Sequence, residues 1–382
     1  MCYDTRATAC ERLPPEPDPT GRTGRRAGER AVVTSRDVAA SAGVSQATVS
    51  RVMSGSELVA DETRRRVLAA MRRTGYQPNQ AARSMRTRRS GTIGIVVADV
   101  LNPFYPAVIA AASRELNRRN RRMILWESDF GGERNAVEAI GQRYVDGVMF
   151  TTATAQSPPL KAALDAGQPT VLVNRTISGL PCDQVDSNNS PTSSDIARYF
   201  ATGGHRRVGL ITAAGSFSTA ALRDAGFRAG VGQAGLVLPE ELVVDGGFTH
   251  QGGHAALVTM MTSPAPPTAV FCVNDLSALG ALDAARSLRL RVPQDVWIAG
   301  YDDIDMASWE AFSLSSARQP IDLMIGLAVD LLLARIDRPS RVFQHYQFPT
   351  TFSVRRSTDN RPFVRDGQAQ AVEPVLVREW PE

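Results

Sequence analysis

The chain is poor in several things that would each open a function class. It has four cysteines in 382 residues (Cys2, Cys10, Cys182 and Cys272), no Cys-x-x-Cys pair and no metal-ligand cluster. A disulfide scaffold and a zinc ribbon are therefore excluded, and no metal is expected. No apolar run approaches the about 18 residues of a membrane helix, so no membrane association is expected. The N-terminal stretch MCYDTRATACERLPPEPDPTGRTGRRAGER lacks the apolar core of a secretory signal, which predicts a cytoplasmic protein. No G-x-S-x-G elbow and no Walker lysine motif occurs, so the chain reads as no enzyme and as needing no cofactor. His250 and His254 stand four apart, but no third ligand or adjacent Glu accompanies them, and helix surface is the simpler reading. Lysine is almost missing: Lys161 is the only one, and genomic base composition accounts for the arginine in its place.

Charge is present but unevenly placed. Residues 31–90 hold eleven Arg against four acids, and residues 1–30 hold six against five. A whole-chain net charge of +4 then leaves −4 for the remainder. A basic module on an acidic body implies a polyanionic partner for the module alone.

That module, residues 32–89, organises the chain. Thr34 or Ser35 can cap a first short helix whose Val38, Ala39 and Ala42 form a small apolar face. Gly43 supplies the positive φ that ends it. Ser45 caps a second helix, with Val49 and Val52 turned back towards the first. Its outer face is left to Gln46, Ala47, Ser50 and Arg51. A polar helical hairpin would share this outline, but the pattern fits a helix-turn-helix whose second helix enters the DNA major groove. A third amphipathic helix follows, with Val67, Leu68 and Met71 apolar and Arg64, Arg65, Arg66, Arg72 and Arg73 along it. Then come Gly75-Tyr76-Gln77-Pro78-Asn79 and the arginine-rich Gln80 to Arg86.

In this order, ending in GYQPNQAARSMRTRRS, the stretch closely resembles the lactose/galactose-repressor (LacI/GalR) family of bacterial transcription regulators. The resemblance continues to about residue 357. It implies that Gln46, Ala47 and Arg51 face base edges: Gln suits adenine, Arg guanine and Ala a thymine methyl. Thr34, Ser45, Thr48, Ser50 and Tyr76 suit phosphate contact or capping. It further implies that Asn79, Arg83, Met85 and Arg86 belong to a hinge helix, paired in a homodimer and wedged into the minor groove of a pseudo-palindromic operator in double-stranded DNA. Met85 stands at the wedge position where Leu is usual, and Met serves there too.

After Arg89 the pattern changes to Thr92-Ile93-Gly94-Ile95-Val96-Val97, an apolar run of the kind that forms a buried parallel strand. Helix 105–120, strand 123–126, helix 132–144, strand 147–150, helix 158–166 and strand 170–173 follow. The alternation continues through helix 190–203, strand 208–211, helix 219–234, strand 243–244, helix 250–262, strand 269–272, helix 276–288 and strand 296–299. Such alternation means parallel sheets covered on both faces. The fold class is α/β: an all-α helix-turn-helix head and hinge helix, then a two-lobed core of two doubly wound sheets like a periplasmic binding protein. The expected divisions are a disordered tail 1–31, a DNA-binding domain 32–78 and a hinge and linker 79–90. A first lobe is expected over 91–187 with about 319–343, a second over 188–318 with about 344–357, and a flexible tail over 358–382. The last segment carries prolines and no leucine heptad, which predicts a dimer. Gly230-Val231-Gly232-Gln233-Ala234-Gly235 has the letter pattern G-x-G-x-x-G. It follows helical sequence instead of a strand, so it is no dinucleotide fingerprint.

Open parallel sheets bind ligands beyond the carboxyl ends of their strands. Those ends carry Asp99 to Tyr105, Asn174-Arg175, Asp186, Arg223, Phe248, Asn274-Asp275 and Gly300-Tyr301-Asp302. Each has a plain reading as a cap or core residue, but together they suit a polyhydroxylated ligand: carboxylates and amides for hydroxyls, arginine as a fork of donors, an aromatic face for the ring. By the resemblance, Asn102, Phe104, Tyr105, Arg175, Asp186, Arg223, Phe248, Asn274 and Asp302 are the effector contacts. The effector is expected to be a small carbohydrate, with a nucleoside or purine as the alternative. Where many relatives carry an additional arginine or polar group, this chain has the short-looking loop Gly215-Ser216-Phe217-Ser218-Thr219, so the effector does not carry over from any one relative. A solute-binding protein shares the core but needs no DNA-binding head, and a sugar-modifying enzyme needs an acid/base or phosphate motif not found here.

Overall fold

The computed structural model describes residues 33–53, 56–77, 89–128, 133–213, 215, 217–359 and 374–380. Two compact units divide the chain, one ending at Gln80 and the other beginning at Ala81. The expected tail 1–31 and the hinge positions Asn79, Arg83, Met85 and Arg86 lie outside the described residues.

The first unit is three helices: α1 (Ser35–Ala42), α2 (Gln46–Met53) and α3 (Asp61–Thr74). Thr34 opens α1 with a capping box, its backbone and hydroxyl both bonded to Asp37 Oδ2 at 2.8 Å. Gly43 ends α1 in the left-handed region (φ 61°). Val38, Ala39, Ala42, Val49, Val52, Val67 and Ala70 make the core. Leu68, read as part of that apolar face, is exposed; Ala70 takes the inward position. An eight-residue helix is marginal alone, so packing of these small side chains carries α1 and α2.

The second unit holds two sheets. The first lobe's strands are β1 (Thr92–Val97), β2 (Arg122–Glu127), β3 (Gly147–Phe150), β4 (Thr170–Val173), β5 (Asp183–Ser187), β11 (Phe343–Phe348) and β13 (Val375–Trp380). They lie in the order β13-β11-β5-β4-β3-β1-β2 and are parallel except for β13. Helices α4 (Phe104–Arg118), α5 (Glu133–Gly141), α6 (Pro158–Asp165) and α11 (Ile321–Asp337) belong to this lobe. Strands β1, β3 and β4 are buried at every residue, which is why they read as largely apolar runs; β5 (Asp-Gln-Val-Asp-Ser) is equally buried but polar, which is why the sequence does not show it as a strand. The second lobe orders β12-β10-β9-β8-β6-β7, from β6 (Val208–Thr212), β7 (Val243–Asp245), β8 (Ala269–Cys272), β9 (Trp297–Asp302), β10 (Ser315–Arg318) and β12 (Thr351–Ser353). Its helices are α7 (Asn189–Thr202), α8 (Ser218–Gln233), α9 (His250–Met261) and α10 (Asp275–Ser287).

Two boundary expectations need correction. Residues 343–348 pair with β5, so this stretch belongs to the first lobe, and only β12 of the segment 344–357 joins the second sheet. The segment 358–382 is not wholly a flexible tail: Val375–Trp380 adds an antiparallel edge strand to β11. The β-prone run Val-Leu-Val supplies that strand, and prolines on either side obscure it in the sequence. No helix among the described residues is long and apolar enough to cross a membrane.

Of the three glycines in the G-x-G-x-x-G letters, only Gly230 has a packing role, which it shares with Gly226 outside the motif. Gly226 and Gly230 lie one turn apart on α8 and face Ser190 and Ser194 on α7. A Cβ at Gly226 would stand 2.2 Å from the Ser190 carbonyl oxygen, and one at Gly230 2.5 Å from that of Ser194. Gly232 has open space. We predict that Gly226→Ala lowers stability by about 1–3 kcal/mol through overpacking. Gly232→Ala should be neutral or stabilising by up to about 1 kcal/mol. Urea unfolding of the two variants checks this; equal effects would mean that the two helices can separate at no cost.

Candidate functional site

In the helical unit, α2 presents Gln46, Ala47 and Arg51 to solvent, while Thr48 and Ser50 are half-buried. Ser45 caps α2 by accepting from the Thr48 amide (3.1 Å) and sharing a 2.9 Å contact with its hydroxyl. Gln46 Nε2 donates to Ser35 Oγ at 2.7 Å, which aligns its side chain along the start of α1. Tyr76 packs partly buried against the helical core. Three arginines of α3 are used inside the unit: Arg66 donates to the Ala42 carbonyl (2.6 Å), Arg73 to that of Ser41 (3.1 Å) and Arg64 to that of Ser56 (2.6 Å). They close the carbonyl end of α1 and the loop before α3, so part of the basic excess is structural.

In the second unit, a cavity of about 230 Å³ opens between the lobes. Eight of the nine expected effector residues line it: Asn102, Phe104, Tyr105, Arg175, Arg223, Phe248, Asn274 and Asp302. Asp186 does not, and this expectation is corrected. Its carboxylate faces β11, taking bonds from His345 Nε2 (2.8 Å) and Gln347 Nε2 (3.2 Å). The error follows from placing β11 in the wrong lobe. Asn274 lines the cavity but both ends of its amide are in use, Oδ1 accepting from the Ser277 amide at the start of α10 and Nδ2 donating to the Phe248 carbonyl. Sequence reasoning missed Phe217 and Thr219. They come from the very loop that read as short and lacking a binding group. Nothing in their residue types marks them; only the docking of α8 beneath the other lobe brings them in.

The best-determined part of the wall is Asp302. Its Oδ1 receives Arg223 Nη1 at 3.0 Å and Gln319 Nε2 at 2.8 Å, which leaves Oδ2 to the cavity. Arg223 also donates to Asn189 Oδ1 (2.7 Å) and the Val273 carbonyl (2.7 Å), with its guanidinium 3.8 Å above the Tyr301 ring. Burial raises the Asp302 pKa and Arg223 opposes it. Asp275, one strand over and fully buried, is raised further by burial and by the charge of Asp302. Its oxygens accept from Ser316 Oγ (2.5 Å) and the Ile304 amide (2.9 Å). Three non-glycine cavity residues have a positive φ: Asn174 (68°), Phe248 (58°) and Asp302 (113°). Strain of this kind is held only where the surroundings over-determine it, and it clusters at ligand sites. Phe217 and Phe248 meet edge to face at 5.6 Å.

A small helical unit whose second helix carries an exposed polar face, joined in one chain to a two-lobed α/β unit with a polar cleft, defines a class: a DNA-reading module coupled to a ligand-sensing one. Comparison with known proteins agrees. Residues 34–79 match the description "Bacterial regulatory proteins, lacI family" and residues 197–358 match "Periplasmic binding protein-like domain". The ribose operon repressor of Escherichia coli K12 is 32% identical over 330 residues, 85% of this chain and 100% of that protein. The transcriptional repressor PurR of E. coli (strain ATCC 8739) is 31% identical over 337 residues, 87% of this chain and 98% of that one. The structure of the transcriptional regulator CelR with cellobiose aligns with a TM-score of 0.66 at 29% identity, covering 85% of this chain and 99% of that one. The chain belongs to the lacI family of bacterial regulatory proteins. It is an effector-responsive, DNA-binding transcription regulator of the repressor type, and no enzyme.

Removing the Asp302 carboxylate leaves Arg223 charged and buried. Asp302→Ala should therefore cost about 3–5 kcal/mol of stability, and Asp302→Asn clearly less because the amide oxygen still accepts. Chemical denaturation of both variants is the check; an Asp302→Ala loss below about 1 kcal/mol would show that Arg223 is satisfied without it.

Proposed function

We propose that this regulator is a cytoplasmic homodimer that senses a small sugar and changes its grip on a pseudo-palindromic operator in response. The observation that carries the sugar reading is the composition of the cavity wall. A carboxylate oxygen, an arginine fork and amides line the same cavity as the rings of Phe104, Tyr105 and Phe248, the combination that suits vicinal hydroxyls on an apolar ring face. At about 230 Å³ the space is below the roughly 300–1,000 Å³ usual for larger ligands. This favours one ring over two, and the ribose operon repressor among the relatives supports the same size. A purine is the second reading, favoured by the Phe217–Phe248 edge-to-face pair and by the likeness to PurR. A thermal-shift panel of pentoses, hexoses, nucleosides and purines separates them. A true effector at about 100 times its Kd stabilises by about 2.7 kcal/mol.

The coupling runs through the crossovers between lobes. Gln319, which holds Asp302, also accepts from Ser187 Oγ at 2.7 Å. The Asn188 amide bonds the Phe348 carbonyl at 2.7 Å. A ligand on Asp302 thus acts on side chains rooted in the hinge strands. A differential affinity for two lobe arrangements is all that is needed to shift DNA binding, typically by about 1–3 kcal/mol. Asp302→Asn should leave operator titration without effector close to wild type, and shift the effector midpoint upward by about tenfold or more. An unshifted midpoint would place the ligand elsewhere.

For base reading, Arg51 on the exposed face of α2 is assigned to a base edge, and Arg86 in the hinge sequence to phosphate. Arg51→Ala should lose about 1–3 kcal/mol of discrimination at one half-site position, while Arg86→Ala weakens all sequences alike and lowers the salt slope. Binding to an operator series at two salt concentrations tests both, and identical sequence-independent losses would remove α2 from the groove.

A further inference from the structure

We propose that the effector carries an acidic group, a carboxylate or phosphate on the sugar, and that Arg175 receives it. This rests on the sugar reading of the same cavity and deepens it. The argument begins with a comparison inside the chain. Among the described residues four arginines are buried: Arg175, Arg223, Arg335 and Arg355. Three of them meet a carboxylate: Arg223 at Asp302 (3.0 Å), Arg335 at Asp183 (3.1 Å) and Arg355 at Asp303 (2.6 Å). Arg175, only 6% exposed, does not. Its Nη1 donates to the Thr219 hydroxyl at 2.5 Å, and its guanidinium lies 4.7 Å from the Phe217 ring centre and 5.6 Å from that of Phe248. Its Nε is buried with no hydrogen-bond partner, and so is Oδ1 of the adjoining Asn174.

An arginine cannot escape this position by losing its proton. Burial pulls its pKa down and Arg223 adds a second repulsive charge, while the bonded Tyr105 hydroxyl and, more weakly, the Asp302 carboxylate oppose. A guanidinium nevertheless stays protonated at any working pH. The nearby carboxylate of Asp302 is already matched by Arg223, and Asp99 Oδ1 is turned to the Leu101 amide. The wall therefore holds one buried cation in excess. A buried charge is expensive unless it is paired, and Arg175 lines the cavity, so the missing counter-ion can come from the ligand. Arginine's planar fork matches a carboxylate or phosphate with two parallel bonds. The neighbouring Asn174 oxygen would accept from a hydroxyl of the same molecule.

The position also explains why an anion would be read out. Arg175 and Thr176 follow β4 in the first lobe, whereas Ser218 and Thr219 begin α8 in the second. Arg175 bonds Thr219, and the Thr176 amide bonds Ser218 Oγ at 3.1 Å. The unmatched charge thus sits on the seam between lobes, where a ligand that neutralises it changes the balance between their arrangements.

The test is calorimetric titration of the full chain with ligand pairs that differ in charge: ribose against ribose 5-phosphate, and glucose against glucuronate, with inorganic phosphate as the charge-only control. The acidic member of at least one pair should bind about tenfold or more tightly than its neutral twin, the ratio one charge-assisted contact provides. That preference should shrink with added salt, vanish in Arg175→Gln and survive in part in Arg175→Lys. Should Arg175→Gln not fold, the wild-type charge preference and its salt dependence decide. Neutral sugars binding as tightly as their acidic twins, or a preference that persists in Arg175→Gln, would overturn the proposal while leaving the sugar reading intact. Phosphate binding as tightly as ribose 5-phosphate would keep the anion site and overturn the sugar. Purines binding where no sugar of either kind does would overturn both.

Discussion

The ion pair between Arg223 and Asp302 is the contact around which the second unit's cleft is arranged. It joins the side chain of a helix, α8, to the last residue of β9. Through Arg223 it reaches Asn189 on α7 and the carbonyl of Val273 just past β8. Through Asp302 it reaches Gln319 in a crossover. Buried pairs add little net stability, because desolvation takes back most of the attraction. What this one supplies is position: five chain segments must be in register for every donor to find its acceptor, and Asp302 is held at a φ of 113° as a result. The carboxyl that loses the competition is Asp275. Asp302 and Asp303 have arginine partners, Arg223 for one and Arg318 and Arg355 for the other. Asp275 has a hydroxyl and an amide only, and burial between charged neighbours drives it towards the neutral form.

The same contact makes the cleft a sensor and more than a container. A ligand bound only to strand ends of one sheet would have no lever on the other lobe. Here one group that lines the cavity, Asp302, is bonded to a crossover residue, Gln319. Gln319 touches both Asp302 and Ser187, and Tyr301 shares a 3.2 Å contact with Thr350, whose hydroxyl donates to Thr192 at 2.6 Å. In our proposal, occupancy of the cavity is passed on through these contacts to the segments that cross between the lobes.

Arginine does three different jobs in a chain with one lysine. On α3 it closes helix ends by donating to carbonyls, a use that the charge count alone reads as DNA affinity. In the core it pairs with buried aspartates, as Arg335 does with Asp183 while lying 4.1 Å from the Phe343 ring. On the exposed face of α2, Arg51 is the arginine we propose for base reading. The flat guanidinium suits the first two roles, since it can stack on a ring and bond in its own plane at once.

The sequence by itself determined the fold class and the family. Most buried parallel strands here are apolar, the polar β5 excepted, and a helix-turn-helix needs a capped start, a left-handed glycine and small facing residues; both constraints are local and leave marks in order along the chain. Eight of the nine proposed cleft residues line the cavity; the family resemblance singled them out, and most stand where the strand ends of such sheets point. What only the tertiary structure decided depends on partners far apart in sequence. Asp186 reads like a ligand contact until β11, some 160 residues on, arrives beside it with His345. Phe217 and Thr219 enter the cavity because the start of α8 docks on Arg175 and Thr176 of the other lobe, with α8 packed closely on α7 through Gly226 and Gly230. The edge strand Val375–Trp380 exists only because β11 offers it an unpaired ladder. Pairing across such distances is set by which surfaces meet, and no local pattern records it.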